Sequence, residues 1–292
     1  MKKALVTGSA GFVGRRFCKK LDELNYNITC IDIVDGKDAR DFFRKDNTKY
    51  DLVVHLAAVV GGRAKIEGEP LSVAVDLSID AEAFQWAVRT RPENFVYYSS
   101  SAAYPIELQR PGATNKLSEW QIDLYDVRLP DFTYGWSKLT GEVLAKYAQS
   151  EGLRVHVFRP FSGYGEDQDT SYPFPAFIQR AIKRENPFEI WGDGTQTRDF
   201  IHIEDVVNAT LKAVDLNVPG PINLCTGVPT SFNHLAEKIF DQIPGYDPEI
   251  LHKYEAPVGV HYRVGDPTKL LSFYTPKITL EHGICLSLDK LG

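Results

Sequence analysis

Three glycines at three-residue intervals, in the run Gly8-Ser9-Ala10-Gly11-Phe12-Val13-Gly14, constrain this chain more than any other feature. They follow Lys3-Ala4-Leu5-Val6-Thr7, a short run with strand character, and open an amphipathic stretch over residues 12–24. There Val13, Phe17, Leu21 and Leu24 fall on one face at spacings of three and four, with Arg15, Arg16, Lys19, Lys20 and Glu23 around the other. Strand, glycine turn and helix in that order bring backbone amides up to a pyrophosphate at a helix N-terminus, with Gly8, Gly11, Phe12 and Val13 lining the approach. Asp32 ends the next predicted strand, eighteen residues beyond Gly14, where a carboxylate accepts both hydroxyls of an adenosine ribose and repels a 2'-phosphate. That favours NAD over NADP, with Ile33 beside the same ribose. Just behind, Asp38-Ala39-Arg40-Asp41 can meet the adenine edge, although Asp38 is equally well placed as a helix N-cap.

The rhythm continues through the first half of the chain. Short apolar runs at residues 3–7, 28–33, 52–56, 95–98 and 155–159 alternate with amphipathic segments. This is the pattern of an α/β fold with a parallel sheet wrapped by helices on both faces. After about residue 165 prolines and aromatics crowd in, as in Tyr172-Pro173-Phe174-Pro175, which predicts a smaller mixed lobe. Residues 220–225 read as a strand returning to the first sheet. The expected division is therefore 1–165 and 166–292, interwoven through about 187–226.

At 292 residues, 43% hydrophobic and 25% charged, the chain can bury a large core and a smaller lobe without metals or disulfides. Cys18, Cys30, Cys225 and Cys285 show neither CxxC spacing nor clustering, so they read as thiols of a reducing compartment, and no metal site is expected. The N-terminal apolar run is too short for a signal peptide, and no stretch approaches the roughly 20 apolar residues of a bilayer span. A cytoplasmic protein without membrane contact is the expectation. A formal net charge of −6 argues against nucleic-acid partners, so any phosphate must be held by local groups.

Tyr134 and Lys138 stand i, i+4, which on a helix puts the ammonium beneath the phenol. A free tyrosine titrates at about 10. Both Lys138 and the positive nicotinamide of bound NAD favour phenolate, making Tyr134 a base for a hydroxyl proton near neutral pH. Upstream, Phe95-Val96-Tyr97-Tyr98 reads as a buried strand that delivers Ser99-Ser100-Ser101-Ala102-Ala103-Tyr104 at its C-terminal end, where ligands bind in this architecture. A serine hydroxyl there can hold the reacting oxygen against Tyr134. His55, at the end of its strand, reads as a packed or capping residue.

Six blocks in order carry a wider resemblance: residues 7–14, His55-Leu56-Ala57-Ala58, residues 99–104, Tyr134-Gly135-Trp136-Ser137-Lys138, residues 159–165 (Arg-Pro-Phe-Ser-Gly-Tyr-Gly), and residues 192–200. Over nearly its whole length the chain resembles the extended short-chain dehydrogenase/reductases, the NAD-dependent nucleotide-sugar epimerase/dehydratase family. The resemblance implies a Rossmann-type doubly wound sheet with a smaller substrate lobe, NAD as cofactor and a nucleotide-diphosphate sugar as substrate. Counting four back from Tyr104 makes Ser100 the catalytic hydroxyl beside Tyr134 and Lys138, with Ser101 and Ala102 as substrate neighbours. Leu56, Ala57, Ala58 and Phe161 fall at cofactor positions. Arg198, and Arg263 in His261-Tyr262-Arg263-Val264-Gly265-Asp266, fall where two guanidinium groups fork onto a diphosphate; the alternative for each is a surface salt bridge with Asp199 or Asp266. Relatives dimerise through two helices per subunit, which implies a homodimer; the stripe Leu139, Val143 and Tyr147 suits that or core packing. Only about eighteen residues separate Ile33 from Leu52, so the helix and strand usual there are expected to be trimmed.

The resemblance also sorts reactions. The 4,6-dehydratases carry an Asp-Glu pair where this chain has Ser101 and Ala102. The loop Val60-Gly61-Gly62-Arg63 resembles that of GDP-mannose 3,5-epimerases and GDP-fucose synthases, but those place a cysteine at the Ala102 position, and their partner acid aligns with Tyr172, in the substrate loop 166–172. What remains is chemistry that Ser100, Tyr134, Lys138 and NAD manage alone, namely 4-epimerisation through a 4-keto sugar. Runners-up are a dehydratase or 3,5-epimerase recruiting Tyr172, Glu166 or Asp167, and, from another class, a non-catalytic NAD-binding scaffold.

Overall fold

The computed structural model describes residues 1–61 and 67–291; Gly62 and Arg63 of the loop singled out above lie outside them. In chain order the elements begin β1 (Lys3–Thr7), α1 (Phe12–Glu23), β2 (Asn27–Ile31), α2 (Ala39–Lys45), β3 (Leu52–His55), α3 (Val73–Thr90), β4 (Phe95–Tyr98), α4 (Phe132–Ser150) and β5 (Val155–Pro160). They continue with β6 (Ser162–Tyr164), α5 (Pro173–Ile182), β7 (Phe188–Trp191), β8 (Thr197–His202), α6 (Ile203–Asp215) and β9 (Ile222–Leu224). The last are β10 (Pro229–Ser231), α7 (Phe232–Phe240), β11 (Ile250–Lys253), β12 (Tyr262–Arg263), α8 (Thr268–Leu271) and α9 (Leu280–Leu291).

Six strands form one parallel sheet in the order β2-β1-β3-β4-β5-β9. Its strands are short and apolar because both faces are covered. Ala4, Val6, Leu52, Val54, Val96, Tyr98 and Phe158 point to the side of α1 and α6, where Phe17, Leu21, Val206 and Ala209 meet them. Leu5, Val53, Phe95, Tyr97, Val155 and Val157 point to the side of α2, α3 and α4, against Phe43, Phe84, Trp86 and Ala145. This is the Rossmann-type α/β architecture. Residues 220–225 do supply the returning strand, as β9 beside β5.

One expectation needs correction. Leu24 does not join the core stripe: α1 ends at Glu23, Leu24 is its cap and is 51% exposed. The segment between β2 and β3 is short, in keeping with the expected trimming. The seven-residue α2 persists, because Ala39 and Phe43, one turn apart, bury beneath the sheet while Asp38 caps its first turn. The chain then passes to β3 beside β1 with no strand in between.

The remaining strands make a second sheet, β10-β8-β12 with β6 also on β8, and a pair, β11-β7. Around them Tyr164, Phe174, Phe177, Phe188, Phe200, Phe232 and Ile239 form a separate aromatic-rich core. The chain leaves the first sheet at Pro160 and enters the second at Ser162.

Candidate functional site

The glycine loop is shaped by contacts that only glycine allows. Gly8 has φ +68°, and a Cβ on it would lie 2.8 Å from the Leu56 carbonyl carbon; one on Gly14 would run into the Gly8 carbonyl oxygen. The loop is thus pressed between β3 and the start of α1. Gly11 is the N-cap of α1, no side chain caps the helix, and no acidic residue sits in its first turn. Those amides and the positive end of the helix dipole fit a pyrophosphate. Asp32 is buried at the end of β2, its Oδ2 accepting from Ala10 N (2.9 Å) and its Oδ1 from Val34 N (3.0 Å). It therefore ties the glycine loop to the turn after β2, and each oxygen retains capacity for a second donor. Ile33 is 68% exposed.

Asp38 takes the N-cap alternative: it accepts from Arg40 N (2.8 Å) and from the Arg40 guanidinium, which holds its carboxyl below the usual range. Ala39 offers only backbone to a ligand, since its methyl lies in the core. Phe161 is likewise buried, against Tyr104, Leu117 and Cys225. Phe12 and Val13 pack on the core beneath α1, half-buried. Leu56, Ala57 and Ala58 form a half-buried turn after β3, and the Thr7 hydroxyl accepts from the amides of Leu56 (3.2 Å) and Ala57 (3.3 Å).

Tyr134 and Lys138 lie on the first turns of α4, with the ammonium 5.7 Å from the Tyr134 ring centre. Lys138 is buried. Burial alone would lower its pKa, but the facing Tyr134, Asp80 and Asp76 reverse this and leave it above the ordinary lysine value. Ser100 ends β4 half-buried, its Oγ accepting from Ala102 N (3.1 Å) to cap the short turn Ser101–Ala103. That turn and α4 are in direct apposition: Asp131 N donates to Ala102 O (2.9 Å), and a Cβ on Gly135 would strike that same oxygen. Ser101 and Ala102 are buried there. Tyr172, at the N-terminus of α5, faces Tyr134; burial pushes its phenol up, with Tyr134 adding to the effect.

Glu166 and Asp167 of the 166–172 loop turn instead to α1. Arg16 bonds both, and Arg15 pairs with Asp167 (3.1 Å). Burial opposes their ionisation, yet backbone bonding, His202 and Arg16 for Glu166, and Arg16 for Asp167, hold both carboxyls below their ordinary range. They line a cavity of about 590 Å³ with Arg15, Arg16, Lys19 and Lys290 that includes none of Ser100, Tyr134 and Lys138.

Arg198 and Arg263 stand directly opposite each other on the parallel pair β8 and β12. Neither makes the salt bridge weighed above. Arg198 donates to Thr197 O and Val258 O and lies over the Phe232 ring (5.5 Å), while Asp199 points into the core and accepts from Thr226, Gly227 and Gly265. Arg263 binds Gln109 Oε1 and Asp131 Oδ2 (2.7 Å), whereas Asp266 bonds Ser118 and Thr268. Because Asp131 is the N-cap residue of α4, Arg263 connects the second sheet to the helix that bears Tyr134.

Sequence reasoning missed several polar residues around this site. Glu142 on α4 forms a buried pair with Arg159 of β5 (2.9 and 2.6 Å) and accepts from Ser99 Oγ (2.5 Å). Asp76 and Asp80, buried on α3, flank Lys138 from the other side. Their spacing of four, in phase with buried Ala83 and Ala87, was the available signal.

The profile of the NAD dependent epimerase/dehydratase family matches residues 4–225. A putative UDP-glucose 4-epimerase of Methanocaldococcus jannaschii is 31% identical, the match covering 96% of this chain and 95% of that protein. Among solved structures, UDP-glucose 4-epimerase of Thermotoga maritima with UDP-glucose shares the fold, with TM-score 0.84 at 24% identity over 99% and 98% of the two chains. MoeE5 in complex with UDP-glucuronic acid and NAD gives TM-score 0.81 at 27% identity over 98% of each. The glycine loop, Asp32 and the family match agree on the cofactor, NAD, and the chain belongs to the NAD-dependent epimerase/dehydratase family.

Proposed function

We propose that the protein is a nucleotide-sugar 4-epimerase that works through a transient 4-keto sugar. The observation that carries this reading is that the turn after Ser100 lies directly against the helix bearing Tyr134 and Lys138, and that its residues Ser101 and Ala102 are buried and bring no carboxylate or thiol. Bound NAD would supply the acceptor and donor of a hydride at C4. The chain's own task is then to move one proton and to hold the sugar. Tyr134 takes the C4 hydroxyl proton as the C4–H bond breaks, and gives it back as that bond re-forms on the other face. Ser100 hydrogen-bonds the same oxygen, and the Lys138 ammonium sets a positive charge beside the Tyr134 ring. Arg198 and Arg263, opposite each other on β8 and β12, are proposed to take the diphosphate, which fits an acidic protein with a dianionic ligand. Lobes at 1–165 and 166–292 would close on the sugar between them.

The dehydratase and 3,5-epimerase readings need a second acid or base. Glu166 and Asp167 are tied to Arg15 and Arg16, which leaves Tyr172 as the one candidate of the three facing Tyr134. Incubating the NAD-loaded protein with UDP-, GDP-, CDP- and dTDP-sugars in deuterated water, with NMR of the products, separates the routes. The 4-epimer should form without carbon-bound deuterium, and Tyr134→Phe should slow it by a factor on the order of 100 to 10,000. Deuterium at C3, C5 or C6 would displace this reading in favour of the runners-up.

No helix among the described residues is long and apolar enough to cross a membrane, and the four cysteines are free thiols. A cytoplasmic homodimer is the proposed state of the molecule. The exposed side chains of Phe132, Trp136 and Tyr147 along α4 support the dimer.

A further inference from the structure

Behind Lys138 lies a chain of buried polar groups that the proton transfer above does not use. Thr7, His55 and Tyr97 occupy one row across β1, β3 and β4, since Thr7 pairs in register with His55 and His55 with Tyr97. Thr7 Oγ1 already accepts two amides, so its own hydrogen goes to His55 Nδ1 (2.8 Å). That fixes the imidazole with Nε2–H directed at Asp80 Oδ1 (3.1 Å). The other oxygen of Asp80 accepts from Tyr97 Oη (2.7 Å), and the Tyr97 ring lies 5.6 Å from Lys138 Nζ. All four side chains are almost wholly buried.

The helix that carries Lys138 is built around this arrangement. Gly141 sits one turn beyond Lys138, and a Cβ there would overlap the Tyr97 hydroxyl, so its absence is what lets that hydroxyl reach Asp80. A buried ammonium without a counter-charge is costly, and a buried carboxylate equally so. Tyr97 brings the two charges to one place, its hydroxyl on Asp80 and its ring beside the Lys138 ammonium. We propose that Asp80 is a positioning residue for Lys138: held between His55 and Tyr97, its carboxylate is the counter-charge that keeps the ammonium protonated and aimed at Tyr134. Asp76, one turn earlier on α3, accepts from Val59 N (2.5 Å) and fixes the loop after β3. Burial pushes its carboxyl upward, which makes it the weaker counter-charge, whereas the His55 bond and Lys138 outweigh burial and hold Asp80 below its ordinary range.

The charged and titratable groups around the pair are Tyr134 and Glu142 of α4, Asp76 of α3, His55 of β3 and Tyr97 of β4, with Tyr172 beyond Tyr134 and Glu142 neutralised by Arg159. The inference rests on reading Lys138 as the partner of Tyr134. Its test needs no substrate, so its failure would leave the epimerase reading standing. In NAD-loaded protein labelled with 13C-lysine, the Lys138 Cε signal is identified by its loss in Lys138→Arg and followed against pH. Asp80→Asn, nearly isosteric, should lower its midpoint by about one to three units, the usual effect of a close opposite charge. Tyr97→Phe leaves the carboxylate charged but unheld on one oxygen, and should lower the midpoint by less. A midpoint that stays put or rises in Asp80→Asn overturns the proposal. Should that variant not fold, an unmoved midpoint in Tyr97→Phe does so.

Discussion

His156 on β5 illustrates how one residue sets a property of the whole. Its ring is 3% exposed, with Nε2 3.1 Å from Asn94 Oδ1. Burial, helped by Arg154, pushes its pKa down from 6.5 to about 4. Between those pH values the unfolded chain binds a proton that the folded chain refuses, so stability is full above about 6.5, falls with pH and levels off near 4. The loss from this site is on the order of a few kcal/mol at most. His156→Gln should flatten that acid slope, seen in urea midpoints at pH 7 and pH 4.5; an unchanged difference between the two would discard the assignment. Residues of this kind are hard to read from sequence. Tyr134 and Lys138 were legible because their spacing of four has a chemical meaning without any fold. Asp76 and Asp80 share that spacing, yet nothing local says which face of α3 they occupy, and only the packing of Ala83 and Ala87 in the same phase puts them inside.

Elements were more legible where both faces of a strand are buried. The runs that became β1, β3, β4 and β5 are continuous and apolar, and the glycine loop marks where α1 must begin. Boundaries slipped where a polar end decides them, as at Leu24, where the chain turns at Asn25 with φ 58°. The short α2 draws its stability from Ala39 and Phe43 beneath the sheet rather than from length. What no local pattern conveys is how closely two elements approach. Gly135 shows this: α4 reaches the serine turn only because no Cβ stands between it and Ala102 O, and one would also meet Pro130 Cβ at 3.0 Å. Gly135→Ala should leave a cooperatively folded protein by circular dichroism while lowering kcat/KM by about 100-fold, the usual cost of displacing reacting groups by an ångström. Parent-like turnover would mean that Ser100 and Tyr134 do not depend on this contact.

For the molecule as a whole, α4 is the element where Tyr134, Lys138, the buried Glu142 and the contact with Arg263 meet. Its inner face sends Lys138, Leu139, Glu142 and Ala145 into the protein, and its N-cap residue Asp131 takes Arg263 from the second sheet. Leu139 thereby leaves the stripe it shared with Val143 and Tyr147 in the sequence reading, since it is 3% exposed while Tyr147 is 63% exposed. The outer face instead carries Trp136, Thr140, Val143 and Tyr147, spaced four, three and four, with Phe132 one turn earlier. Such spacing is a seam on which another helix packs side by side, and on a twofold axis the same helix of a second copy would meet it. Trp136 and Tyr147 are 43% and 63% exposed, and covering the rest of each in an interface would stabilise it. The NAD-loaded protein should therefore sediment as a dimer, and Trp136→Glu combined with Tyr147→Glu should give a monomer. Because both side chains point away from Lys138, that monomer should still bind NAD, measured by calorimetry. A parent protein that sediments as a monomer at micromolar concentration would remove the dimer and leave the stripe unexplained.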